Sequence, residues 1–410
     1  MSRNHVTPGD DASDHHLWGR SEPADLKNLA EHRPEVLYEA LEELCRRVSG
    51  GGADGASAAR TVGRIAETLA DTRSRECAAF AVDIVSRLLP SGATARKDTD
   101  RQGTDRKEAD REAGDRLLRS VAARLAKAQQ LRDLEPLFGE LPEGIEGPAV
   151  ELRACLLGEL ALIGSGLGRR LLDAYAERLR ELGHPLAQLP RERLDIEHRL
   201  TVRVRGLGSI KTSKQLRSRF PEIPPTDSGA DAGRGAGETQ DDVRATALAG
   251  PFTLGGWARE PEARFFTVPS PLSTDDFGIS FIKELPLDCL AGEGGHRGSA
   301  LACATTPDDV LNELFSAAYN GGVNGHGQGG AYARLYAWGS LYALMGLAAD
   351  VPYLEAVRRA ADHRWLRFMA FTDWFHHDTA DVAFAVLDPT RTRVAVLAAT
   401  DTDAGQDLVG

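Results

Sequence analysis

From Ala24 to about Gly183 the apolar positions recur at helical spacing almost without a break. In Val36–Val48, residues Leu37, Ala40, Leu41, Leu44 and Cys45 form an i, i+3, i+4, i+7 stripe with charges on the opposite side. The same spacing predicts helices near Ala58–Asp71, Ser74–Leu89, Leu117–Gln130, Ala149–Gly164 and Gly168–Gly183, punctuated at Gly50–Gly55 and Leu141–Pro148. Successive pairs of similar length predict an all-α helical array or bundle over residues 24–219, behind a disordered N-terminus of residues 1–23. No repeated residue signature assigns it to a named repeat type.

One stretch interrupts the pattern. Between Ser91 and Arg116 the dipeptide Asp-Arg recurs at Asp100, Asp105, Asp110 and Asp115, among seven basic and seven acidic side chains. Five residues advance a helix by about 140°, so these repeats share no face. The segment reads as a low-complexity charged insertion over 91–116, in a surface loop.

A second break, Phe220–Asp242, is rich in Pro, Gly and Asp and reads as a flexible linker. Beyond it the period changes, and residues 243–410 read as an α+β domain with a mixed or antiparallel sheet. Strands are predicted at Arg264–Val268, Gly278–Lys283, Ser299–Ala304, Arg367–Phe371, Val382–Leu387 and Arg393–Ala399. The last two flank Asp388-Pro389-Thr390-Arg391-Thr392 and form a predicted hairpin. Thr306-Pro307-Asp308-Asp309 supplies an N-cap, a first-turn proline and two acids facing the dipole, so a helix runs to about Tyr319. Further helices are predicted over Ala331–Leu347 and Pro352–His363. The fold class is α+β overall.

Composition narrows the function. Of the net charge of −12, residues 243–410 contribute −8, from 12 Lys+Arg against 20 Asp+Glu. A phosphate backbone is repelled by such a domain, which argues against nucleic acid as its partner. The five cysteines (Cys45, Cys77, Cys155, Cys289, Cys303) are odd in number and never spaced CxxC, as expected of reduced thiols in a cytoplasmic protein. The N-terminus lacks the apolar core of a signal peptide, and no apolar run approaches the ~18 residues that span a bilayer.

The chemistry concentrates at Gly321–Gly330. GGVNGHGQGG holds a G-x-G-x-x-G at Gly325, Gly327 and Gly330 and opens onto a helix, whose amides can cradle an anion. It follows a helix rather than a strand, and no Gly-Lys-Ser/Thr closes it, so a nucleotide loop competes with a tight packing turn that needs glycine. Its candidate ligand-binding side chains are Asn320, Asn324, His326 and Gln328, with Arg334 on the helix behind. That helix, AYARLYAWGSLYALMG, carries Ala331, Leu335, Trp338, Tyr342 and Met345 on one side and is expected to be buried on most of its circumference.

A second cluster, DWFHHDTAD, places His376 and Asp378 as candidate metal ligands, against a bland reading as an exposed loop before the hairpin. The basic, acid-free stretch Arg199–Arg219 fits an edge strand or docking onto the acidic C-terminal domain, against binding of nucleic acid or another polyanion. No G-x-S-x-G or H-E-x-x-H occurs.

The stretch LFSAAYNGGVNGHGQGGAYARLYAWGSLYALMG resembles an uncharacterised family of streptomycete proteins, a domain of unknown function, over about Phe252 to Thr400. The resemblance implies no catalytic residues. An Ala-, Arg- and Gly-rich composition fits a high-GC actinobacterium. The expectation is a non-enzymatic interaction or regulatory protein that recognises a protein partner or small ligand, with no cofactor. The alternative is an enzyme or a nucleotide- or metal-binding protein with its site at the glycine loop and His376–Asp381.

Overall fold

The computed structural model describes residues 23–49, 55–88, 101–165, 168–200, 235–292, 299–323, 325–376 and 380–401. The chain forms two compact units, Met1–His184 and Pro185–Gly410. The division precedes the linker read from the sequence, because residues 185–200 pack with the C-terminal helices. Residues 201–234, most of that linker, lie outside the described residues.

In the first unit, helices α1 (Pro23–His32), α2 (Pro34–Ser49), α3 (Gly55–Asp71), α4 (Arg75–Leu88), α5 (Arg101–Ala128), α6 (Pro148–Leu162) and α7 (Arg170–Glu181) follow one another. The predicted stripe is the buried one: Leu37, Leu41 and Leu44 join Val62, Ile65, Leu69, Ile84, Val121 and Leu125 in the core. Gln129 ties the α3–α4 connection, donating to the carbonyls of Ala70 at 2.9 Å and Thr72 at 2.6 Å and accepting from Ser74 N at 3.1 Å.

The charged repeats differ from the expectation of a loop. Residues 101–116 continue without a break into α5, one helix of 28 residues. Leu118, Val121, Ala122 and Leu125 anchor its second half in the core, and the Arg-, Lys- and Glu-rich sequence before them, made of helix-favouring residues, continues the same helix. A period of five forbids a seam; it does not forbid a helix.

The second unit is built on a six-stranded, wholly antiparallel sheet: β1 (Gly237–Glu238), β2 (Glu262–Thr267), β3 (Ser299–Ala304), β4 (Arg364–Phe371), β5 (Val382–Leu387) and β6 (Arg393–Ala399), in the order β1-β2-β6-β5-β4-β3. Every residue of β5 is buried, which explains an apolar run with no polar face. Ala383, Ala385 and Leu387 face a core shared with Phe281, Ile282 and Leu290. The alternate residues Val382, Phe384 and Val386 face the other layer. There lie α8 (Asp242–Thr253), α10 (Pro307–Asn320) and α11 (Gly329–Met345), with α8 and α11 against the sheet.

Other elements differ from the sequence reading: β1 lies inside the predicted linker Phe220–Asp242. Gly278–Lys283, predicted as a strand, is the start of helix α9 (Ile279–Glu284), which lays Phe281 and Ile282 on the sheet. Six residues with three apolar side chains do not distinguish strand from helix by their period. Helix α8 was not anticipated; Asp241 caps it by accepting from Arg244 N at 3.1 Å, and Pro251 is tolerated in its last turn.

The β5–β6 hairpin closes as its turn residues require. Asp388 Oδ1 accepts from the amides of Thr392 and Arg393, both at 3.0 Å, and Oδ2 accepts from Thr390 Oγ1 at 2.6 Å. Burial pushes this carboxyl up, but the hydrogen bonds from Thr390 and the backbone outweigh it, and the net shift is downward.

After the hairpin's partner helices comes α12 (Tyr353–Ala360). Within α11, Ala331, Trp338, Tyr342 and Met345 are buried as expected and Leu335 is half-buried. Gly339 is helical, and an added Cβ there would meet nothing within 4 Å. Gly339→Ala should therefore raise stability by about 0.5–1 kcal/mol, read as a higher urea midpoint at unchanged slope. A loss of stability would mean that this partly exposed face is occupied.

Candidate functional site

Helix α10 ends at Asn320, and Gly321 takes φ of 75°, in the left-handed region open to glycine. The loop then lies against a second glycine turn, Gly255-Gly256, that follows α8. Gly322 N donates to Gly255 O at 2.9 Å. A Cβ on Gly325 would lie 2.4 Å from Gly255 O and 2.6 Å from Gly256 O, and one on Gly327 would lie 1.8 Å from Tyr319 O. Two backbones approach here more closely than any side chain permits.

Asp401, just beyond β6 and 2% exposed, holds the two turns together. Its Oδ1 accepts from Ala258 N at 3.1 Å and its Oδ2 from Val323 N at 2.5 Å. A Cβ on Gly322 would lie 2.3 Å from that second oxygen. Three further loop amides are engaged: Gly321 N donates to Ala317 O, Gly325 N to Gly322 O and Gln328 N to Ala318 O. Those amides are given to protein acceptors and are not open to a phosphate.

Each sequence-derived candidate has a definite place. Asn320 Nδ2 donates back to Ser316 O at 2.8 Å, and Gln328 Nε2 donates to Leu254 O. His326 is exposed. Asn324 lies outside the described residues.

Arg334 is 1% exposed and turned away from the loop, into a bidentate pair with Glu197: Nε to Oε1 at 2.6 Å and Nη2 to Oε2 at 2.8 Å. Its remaining donors reach Pro190 O at 2.7 Å and Glu192 O at 2.9 Å. The structure gives it the role of binding residues 190–197 to α11, in place of the ligand contact expected from the sequence.

His376 is exposed, while Asp378 lies outside the described residues. Among the described residues no three His, Cys, Asp or Glu side chains gather as a metal site.

The two loops nevertheless meet at one corner of the sheet. Asp381, 1% exposed, accepts from Thr400 Oγ1 at 2.6 Å and from His376 N at 3.4 Å, and the residue after Thr400 is Asp401. Arg259 completes the corner, stacking over Trp374 at 5.4 Å and donating to Trp374 O at 2.7 Å.

Sequence reasoning missed Glu197 and Asp401. Asp401 had a local signal, an acid two residues after an apolar strand end; Glu197, in LDIEHRL, had none. The thiols offer no ready nucleophile. Burial pushes Cys45 up to about 11, and it raises Cys77, Cys155, Cys289 and Cys303 as well.

These features define an α+β protein whose antiparallel sheet ends in a clamped pair of glycine turns. The chain belongs to a family of unknown function, DUF6183, whose model matches residues 26–403. No curated protein and no solved structure matches it. Among the described residues no helix is long and apolar enough to cross a membrane.

Proposed function

We propose that this protein acts by recognition rather than catalysis, as an interaction or regulatory protein: a helical platform joined to an α+β unit that holds a protein partner or a small ligand. The observation that supports this reading is how the polar groups around the glycine loop are used. Asn320 and Gln328 bond to backbone carbonyls, Asp401 to backbone amides and Arg334 to Glu197, while His326 stands exposed on the rigid loop. Exposed side chains on loops held by a firm scaffold are where binding residues concentrate. The helical unit adds surface of a kind that partners use, an argument by analogy of fold. A cytoplasmic setting and an actinobacterial origin belong to the same proposal, and the acidic C-terminal domain points away from nucleic acid.

The second reading is an enzyme or a nucleotide- or metal-binding protein. One observation favours it: the glycine loop and the His376 loop meet at the Thr400–Asp401 corner. A thermal-shift screen with nucleotides and with magnesium, manganese and zinc separates the two. A ligand at about 100 times its dissociation constant stabilises by roughly 2.7 kcal/mol. The recognition reading expects no such shift, together with a protein recovered in pull-downs whose capture weakens in His326→Ala. A clear shift with a nucleotide or metal would replace it with the second reading.

A further inference from the structure

The two edges of the sheet differ. β1 is two residues long, and its Glu238 pairs with Arg264 of β2 at 2.6 Å, so charge and brevity protect that edge. β3, at the other edge, runs six residues, Ser-Ala-Leu-Ala-Cys-Ala, with neither charge nor proline. Its hydrogen-bond polarity follows from one contact. Thr305 N donates to Trp365 O, in register with Cys303 opposite Arg367, so the odd residues of β3 face β4. The N–H and C=O groups of Ala300, Ala302 and Ala304 therefore point outward. Among the described residues no strand pairs with them.

We propose that β3 is a homodimer interface, in which two copies pair their β3 strands antiparallel about a two-fold axis through Ala302 and merge their sheets into one. The occupant is a second copy because this edge is complementary to itself. With Ala302 opposite Ala302 of the partner subunit, Ala300 falls opposite the partner's Ala304, and each such pair exchanges both of its backbone bonds. Leu301 then lies opposite Cys303 of the partner subunit at a non-hydrogen-bonded position, where side chains come closest. Both residues are half-buried in a single copy, so pairing covers apolar surface. Charge points the same way. At a net charge of −12 two copies repel one another, and β3 itself carries no carboxylate to add to that repulsion.

Leu301→Cys tests the register directly. It sets a thiol opposite the partner's Cys303 with Cα atoms about 4.5 Å apart, within disulfide reach. Oxidation of mixed light and isotopically heavy chains should give 301–303 cross-linked peptides that combine both labels. Wild type should sediment as a dimer at micromolar concentration. Ala302→Pro, which removes an outward N–H and no bond to β4, should sediment as a monomer with its circular dichroism retained. If that variant fails to fold, the cross-link alone decides. A wild type that stays monomeric up to about 100 micromolar overturns the proposal, and so does a 301–303 disulfide found only within one chain.

Discussion

Replacing Arg334 by Met should cost about 3–5 kcal/mol of stability, the largest effect expected of any single side chain in the second unit. Both partners of the pair are out of solvent, with Arg334 1% and Glu197 0% exposed. Glu197 is the hub: it also accepts from Trp338 Nε1 at 2.8 Å and Leu194 N at 2.7 Å. Without the guanidinium its charge stays buried with two neutral donors, and the carbonyls of Pro190 and Glu192 lose their partner. Arg334→Lys should fail nearly as badly, because an ammonium cannot reproduce a two-pronged fork plus two carbonyl contacts. The double change Arg334→Met with Glu197→Leu should recover much of the loss, since removing both charges removes the desolvation burden as well. Urea unfolding followed by tryptophan fluorescence reads this out, because Trp257, Trp338, Trp365 and Trp374 all lie in the second unit. A loss below about 1 kcal/mol for Arg334→Met would show that the pair adds nothing net.

This pair also marks where sequence reading stops. The elements themselves were legible wherever the pattern was long or the local chemistry specific. Thr306 through Asp309 announced α10, and its Thr306 cap is present; the two apolar runs around Asp388–Thr392 announced the β5–β6 hairpin. Short runs such as Gly278–Lys283 carry no such information, and the sheet lost one predicted strand there. The candidate site was legible in part. Glycine density at 321–330 exposed a place where backbones approach, because only absent side chains produce it. What lies on the other side of that approach is nonlocal: Gly255 is 67 residues before Gly322 by number, and Asp401, which binds Val323, lies 78 residues after it. Arg334 was misassigned for the same reason. An Arg on a helix beside a loop advertises a ligand contact, and nothing in its neighbourhood shows that Glu197 already fills its fork.

Gly327→Ala should destabilise the second unit by about 3 kcal/mol or more, while His326→Ala one residue away should stay within about 0.5 kcal/mol. The added methyl at 327 would sit 1.8 Å from Tyr319 O, a backbone atom in the last turn of α10 that cannot rotate aside. Relief requires the loop to lift off the end of α10, which pulls the Gln328 amide from Ala318 O. Gly325→Ala meets two carbonyls at 2.4 and 2.6 Å and should behave alike. His326 is exposed, so trimming it removes surface and little packing. The contrast separates holding from recognising. A loop that serves only to pack two helices tolerates any residue at 326 and none but glycine at 325 and 327. One that also presents His326 to a partner should lose binding in His326→Ala at full stability, whereas Gly327→Ala loses both together. If Gly325→Ala is as stable as the parent, the close approach of the two glycine turns is not what orders this corner of the sheet.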